Sequence, residues 1–278
     1  MFHQLQNYLQ YDFMRYALIV GPLVTICSAL LGVTLVLRRY SMIGDGLSHV
    51  GFGALGVAAA LHWAPLPVAV PAVIAAAFLL LRSRHKKMQG DAAIALFSAT
   101  CLALGVLAIT ISGGSNVDLM NYMFGSILAL SKSDVWIAAG LFALVLPGFA
   151  WLYHRIFSVT FDEPFARATG LRTGLYQLLT ALFTSLTIVL GMRLLGTLLI
   201  SSLLTFPAMI SMRLFKSFRA VVLSAAVTSV VCFVAGFLIS LFWKQNLPTG
   251  ATIVAVYALA FGAFSLAGWV RGRSRKNC

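Results

Sequence analysis

Nine apolar runs, each close to the ~20 residues a helix needs to cross a bilayer, occupy most of the chain. They cover 16–37, 42–62, 65–81, 91–112, 134–153, 174–192, 194–212, 220–242 and 249–270. A soluble domain cannot hide so much apolar surface: 60% of the 278 residues are hydrophobic and only 10% are charged. Runs of this length and composition are candidate membrane-spanning helices. The expected fold is an all-α polytopic membrane protein with eight or nine transmembrane helices in a single domain, 1–278. The range reflects two places. Segments six and seven are divided only by "GMR" at 191–193. The stretch "SNVDLMNYMFGSILALS" at 115–131 reads as a short re-entrant or interfacial helix.

A net charge of +13 would suggest nucleic acid in a soluble protein. Here the basic residues fall between apolar runs, in "RRY" from Arg38, "RSRHKK" from Arg82, "RLFKSFR" from Arg213 and "RGRSRK" from Arg271. No basic face is interleaved with exposed aromatics, so no nucleic acid partner is expected. With the N-terminus outside, every strong basic cluster lies in the cytoplasm, together with a long loop at 154–173. Cys27, Cys101 and Cys232 sit within apolar runs and read as small buried hydrophobes. The N-terminus lacks the pattern of a cleaved signal peptide, and Phe2, Leu5, Leu9 and Phe13 suit a short interfacial helix.

The second segment opens "MIGDGLSHVGFGALG" and places Asp45 and His49 inside the membrane. At i and i+4 they share one helix face. That face continues through Phe52, Gly56, Ala59 and Ala60, small enough overall to admit a neighbouring helix or a copy of the same one. His49 lies roughly 15 Å along the helix from Arg39, near mid-membrane. An ionisable residue at that depth is costly and normally faces a partner, a cavity or a pathway. Carboxylate and imidazole together suit first-row divalent ions such as zinc, manganese or iron. One helix supplies too few ligands for a tight four-coordinate site, whereas two copies across a two-fold axis supply four. The alternative is an Asp–His hydrogen bond that only locks packing. His62 beside Trp63 reads as interfacial. His3, His85 and His154, like Asp12 and Asp118, read as solvated.

Two further features stand out. Pro207 in "LLTFPAMI" cannot donate to the Leu203 carbonyl, so a kink is expected there, either bordering a transport pathway or as a packing feature. The cytoplasmic stretch "FDEPFARATGL" holds Asp162 and Glu163, two of only seven acidic residues. Acid and Pro164 at its start and Gly170 at its end punctuate a short helix, either a simple connector or a dock for a soluble partner. The sequence contains no G-x-x-x-x-G-K-[ST], H-E-x-x-H or G-x-S-x-G pattern. Any ATP used is therefore bound by another chain, and no enzyme activity is expected.

Four ordered motifs, "LGVTLVLRRYSMIGDGLSHVGFGALG", "MNYMFGSILALSKSDV", "FDEPFARATGL" and "LLGTLLISSLLTFPAMISMRL", resemble the permease subunit of metal-ion ABC importers from about Phe13 to Trp269. The resemblance implies a type II ABC importer-like permease in a prokaryotic cell membrane. It also implies a second permease copy, two cytoplasmic ATPase subunits and an extracytoplasmic metal-binding protein. Asp45 and His49 match the family's intramembrane acid and histidine. Asp162, Glu163, Pro164, Ala166 and Gly170 lie in the segment that matches its coupling helix. The expected cargo is zinc, with manganese or iron as alternatives, and no cofactor is held permanently. A stand-alone secondary cation transporter using Asp45 is the competing transport reading. An intramembrane metalloenzyme would need a third ligand that the sequence does not offer.

Overall fold

A computed structural model describes residues 11–38, 40–83, 90–113, 123, 125, 130–243 and 247–274. Among them the elements are all helices: α1 (Asp12–Leu37), α2 (Ser41–Ala60), α3 (Pro65–Ser83), α4 (Gly90–Ile111), α5 (Lys132–Phe161), α6 (Glu163–Ala168), α7 (Thr173–Leu195), α8 (Thr197–Leu214), α9 (Phe218–Phe242) and α10 (Thr249–Ser274). Each of the nine apolar runs falls on one of the nine long helices. Seven of these helices are long and apolar enough to cross a membrane, and α3 adds a shorter apolar stretch, Pro65–Leu80. α2 falls outside that set because Asp45, His49, two serines and five glycines dilute its 20 residues.

α1 runs through the middle of the bundle and packs against α5, α7, α8 and α9. Its Ala17, Val20, Val24, Cys27 and Leu31 are fully buried. α2, α3 and α4 associate on one side of it, and α8, α9 and α10 on the other. α2 touches both groups, through α4 and α3 and through α8. Gly53 and Gly56 of α2 lie against the backbone of Cys101 and Gly105 in α4. The small face of α2 is thus covered by a helix of the same chain. Small residues let helix backbones come together where hydrophobic burial gives no drive.

Local chemistry sets the helix ends. Ser131 and Asp134 form a capping box that opens α5: the Asp134 carboxylate accepts from the Ser131 backbone N–H at 2.9 Å and from its hydroxyl at 2.7 Å. α5 then runs 30 residues, so His154 lies in helix and the expected loop from 154 reduces to α6 and its flanks. α7 and α8 are separated by the single residue Gly196 (φ 92°) rather than by 191–193, which are helical. A positive φ is open to glycine at no steric cost, and that is where the helix breaks. The 115–131 stretch lies largely outside the described residues.

Candidate functional site

α2 presents Asp45 and His49 on one face, as the i, i+4 spacing requires. Asp45 Oδ2 and His49 Nε2 stand 3.5 Å apart, with the Asp45 side chain 53% exposed and His49 21%. That gap exceeds the 2.7–3.2 Å of a good N–H···O hydrogen bond. It is the distance of an i, i+4 ion pair, and it is also open to two donors sharing one ion. With zinc–N and zinc–O bonds of about 2.0–2.2 Å at a tetrahedral angle, the donors are ~3.4 Å apart. The other ring nitrogen, His49 Nδ1, is buried without a hydrogen-bond partner. Ser48 is turned back, its hydroxyl donating to the Asp45 carbonyl at 2.7 Å.

Asp45 opens into a cleft between α2 and α8, lined by Ser41, Met42, Ser201, Ser202, Thr205 and Phe206. The three α8 hydroxyls donate to carbonyls of their own helix: Ser201 and Ser202 to Leu198 at 3.2 and 2.9 Å, and Thr205 to Ser201 at 3.1 Å. Their oxygens keep lone pairs to accept with or to offer a cation. The cleft wall opposite Asp45 thus carries three hydroxyls and the Phe206 ring, and no charge. Pro207 is buried one residue beyond Phe206, within a helix that continues to Leu214. Among the described residues no three His, Cys, Asp or Glu side chains converge on one point. At this face the described residues bring together two such donors, Asp45 and His49.

The second expected site is α6, six residues long. The Asp162 carboxylate accepts from the Phe165 N–H at 2.9 Å, capping its start. Pro164 stands in the first turn, and Gly170 (φ 83°) ends the segment, with the Leu171 N–H donating to the Ala166 carbonyl at 3.0 Å. Ala166 is fully buried and pins the helix to the bundle, while Phe165 is 63% exposed. Glu163 uses both oxygens, one towards Arg167 at 2.9 Å and the other towards Arg38 at 3.4 Å.

The remaining expected positions stay apart from both sites. His62 (φ 54°) ends α2 beside Trp63, which is 61% exposed, in keeping with an interfacial position. His154 and Asp12 are exposed. His3, His85 and Asp118 lie outside the described residues. Ser201, Ser202 and Thr205 were not foreseen as partners of the Asp45 face. The available signal was hydroxyls at helical spacing in an otherwise apolar run.

The model of the ABC 3 transport family matches residues 10–267. The chain is 29% identical to the high-affinity zinc uptake system membrane protein ZnuB of Haemophilus influenzae, covering 89% of this chain and 95% of that protein. It is also 29% identical to the manganese transport system membrane protein MntC of Halalkalibacterium halodurans, covering 91% and 88%. In structure it is similar to a chain of PsaBC from Streptococcus pneumoniae, solved in complex with Fab, with a TM-score of 0.85, 27% identity and 95% of each chain covered. A matched span of this extent, on an all-helical bundle with seven membrane-length apolar helices, makes the chain a membrane protein of the ABC 3 transport family.

Proposed function

We propose that the chain is the permease subunit of an ATP-driven importer of divalent first-row metal ions, with zinc as its principal cargo. The observation that carries this reading is the pairing of Asp45 and His49 on one face of α2, with Asp45 opening into a cleft that holds the Ser201, Ser202 and Thr205 hydroxyls. Two donors per chain suit an ion that must bind and then leave. A second permease copy would bring the set to four. An imidazole donor favours zinc over manganese, which is better served by oxygen donors alone. The zinc and manganese names among the relatives keep manganese as the second reading, with iron beside it.

In this account an extracytoplasmic binding protein delivers the ion. Asp45 and His49 hold it in passing, and the α8 hydroxyls line its way, with Pro207 at the border of the path. A cytoplasmic ATPase, needed because this chain has no Walker A motif, docks on α6 through the exposed Phe165 and the segment from Asp162 to Gly170. The permease itself makes and breaks no bonds. Uptake of radioactive zinc and manganese, measured side by side in cells that lack their own importers and express this chain with its ATPase and binding protein, tests the cargo. Zinc entry that excess manganese does not suppress supports the reading. Manganese entry alone overturns the zinc assignment, and entry without any ATPase overturns the importer class.

A further inference from the structure

The Arg38–Glu163 ion pair joins segments 125 positions apart in sequence and ties α6 to the turn that starts the Asp45 helix. Arg38 is the C-cap of α1, its N–H donating to the Thr34 carbonyl at 3.2 Å. Its guanidinium lies over the Tyr40 ring at 5.5 Å and reaches Glu163 Oε2 at 3.4 Å, with the side chain only 12% exposed. Tyr40 is buried, and its N–H donates to the Leu35 carbonyl at 2.8 Å. Its own carbonyl accepts from Ile43 at 3.0 Å, in the first turn of α2. Asp45 follows two residues later. Pro164, next to Glu163, fixes the backbone at the other end.

We infer that Arg38 is a positioning residue that transmits displacement of α6 to the Asp45–His49 face of α2, through Glu163 on one side and Tyr40 on the other. The inference rests on the importer reading above. The covalent path from α6 runs into α5 and α7. The ion pair adds a direct route to α2, made of a half-buried charged contact, the guanidinium over the Tyr40 ring, and the Tyr40 carbonyl that accepts from Ile43. Half-buried pairs are screened less than surface ones, so displacement of Glu163 is felt at Arg38. Glu163 is the chain's only glutamate, and Arg167 holds its second oxygen, keeping the carboxylate oriented towards Arg38.

The test uses the complete importer in proteoliposomes, with Arg38→Met, Arg38→Lys, Glu163→Gln and the double variant Arg38→Met/Glu163→Gln. Metal uptake per ATP hydrolysed is expected to fall roughly tenfold in Arg38→Met and less in Arg38→Lys. The double variant is expected to fall no further than its more severe single, as members of one pair behave. A second readout does not depend on transport. Met42 lines the cleft beside Asp45. Met42→Cys, in a chain whose four native cysteines are replaced, reports cleft geometry by its rate of thiol labelling. Trapping the ATPase with nucleotide and vanadate should change that rate roughly threefold or more with Arg38 present and hardly at all with Arg38→Met. An undiminished labelling response and uptake in Arg38→Met, or additive losses in the double variant, overturns this inference alone. A chain with Arg38 intact that shows neither metal uptake nor a nucleotide-dependent labelling change overturns the importer reading, and the inference with it.

Discussion

Gly56 of α2 and Gly105 of α4 meet backbone to backbone: a Cβ on Gly56 would sit 2.6 Å from the Gly105 carbonyl oxygen. The helix that carries Asp45 and His49 is seated on its neighbour through this contact. Because the obstacle is backbone, no rotamer change relieves a larger residue. Gly56→Leu is expected to cost about 1–3 kcal/mol, or to displace α2 from α4. Gly140, with nothing within 4 Å of its Cβ position, is the control. Gly140→Ala should be neutral or stabilising by up to ~1 kcal/mol, as helix propensity dictates. Thermal unfolding of the purified variants in detergent separates the two.

The Tyr257 hydroxyl donates to the Ser229 carbonyl at 2.5 Å and links α10 to α9 inside the bundle. Tyr257→Phe keeps the ring and leaves the carbonyl without that donor. A loss of about 1 kcal/mol is expected, seen as a lower Tm and with metal selectivity unchanged.

Asp162 caps α6 through the Phe165 N–H, whereas Glu163 carries the ion pair to Arg38, so a change at Asp162 addresses the helix start. Asp162→Ala should weaken the six-residue helix by about 1 kcal/mol and lower the ATPase recovered with the permease on purification. Asp162→Asn or Asp162→Ser, which also cap, should restore recovery. Deleting residues 164–170 should abolish it.

Ser201 and Thr205 face the cleft at i, i+4, each hydroxyl within reach of a helix carbonyl, and Ser201 also hydrogen-bonds the Asp45 carboxylate. Replacing both by Ala removes two oxygen acceptors and leaves the helix intact. The expected result is unchanged protein yield and a several-fold rise in the apparent KM for metal uptake, in proportion to the loss of weak ligands along the path.

The long helices were legible because the apolar runs are continuous and lipid forces each to satisfy its own backbone. The Asp45–His49 pair was legible from i, i+4 spacing alone, and so was the α6 segment, whose cap, Pro164 and Gly170 are local signals. What the sequence did not disclose depends on contacts between distant segments. The junction at Gly196 escaped notice because "GMR" holds the only charge nearby, whereas the chain turns where a positive φ is needed. The pairing of α2 with α8 brings Ser201 and Thr205 to Asp45 across more than 150 positions, and periodicity within either helix does not specify it. The small face of α2 admitted either a neighbouring helix or a second copy, and α4 covers it at Gly53 and Gly56. Arg38 and Glu163, read separately as members of a basic and an acidic cluster, meet only through the fold.

The measurement that bears most directly on the central claim is zinc uptake by the reconstituted importer with Asp45→Ala and His49→Ala, each checked for normal ATPase association. Loss of uptake to the level of an empty membrane in both, with association intact, is the predicted result. Uptake at the wild-type rate in both would make the pair a packing contact and contradict the account.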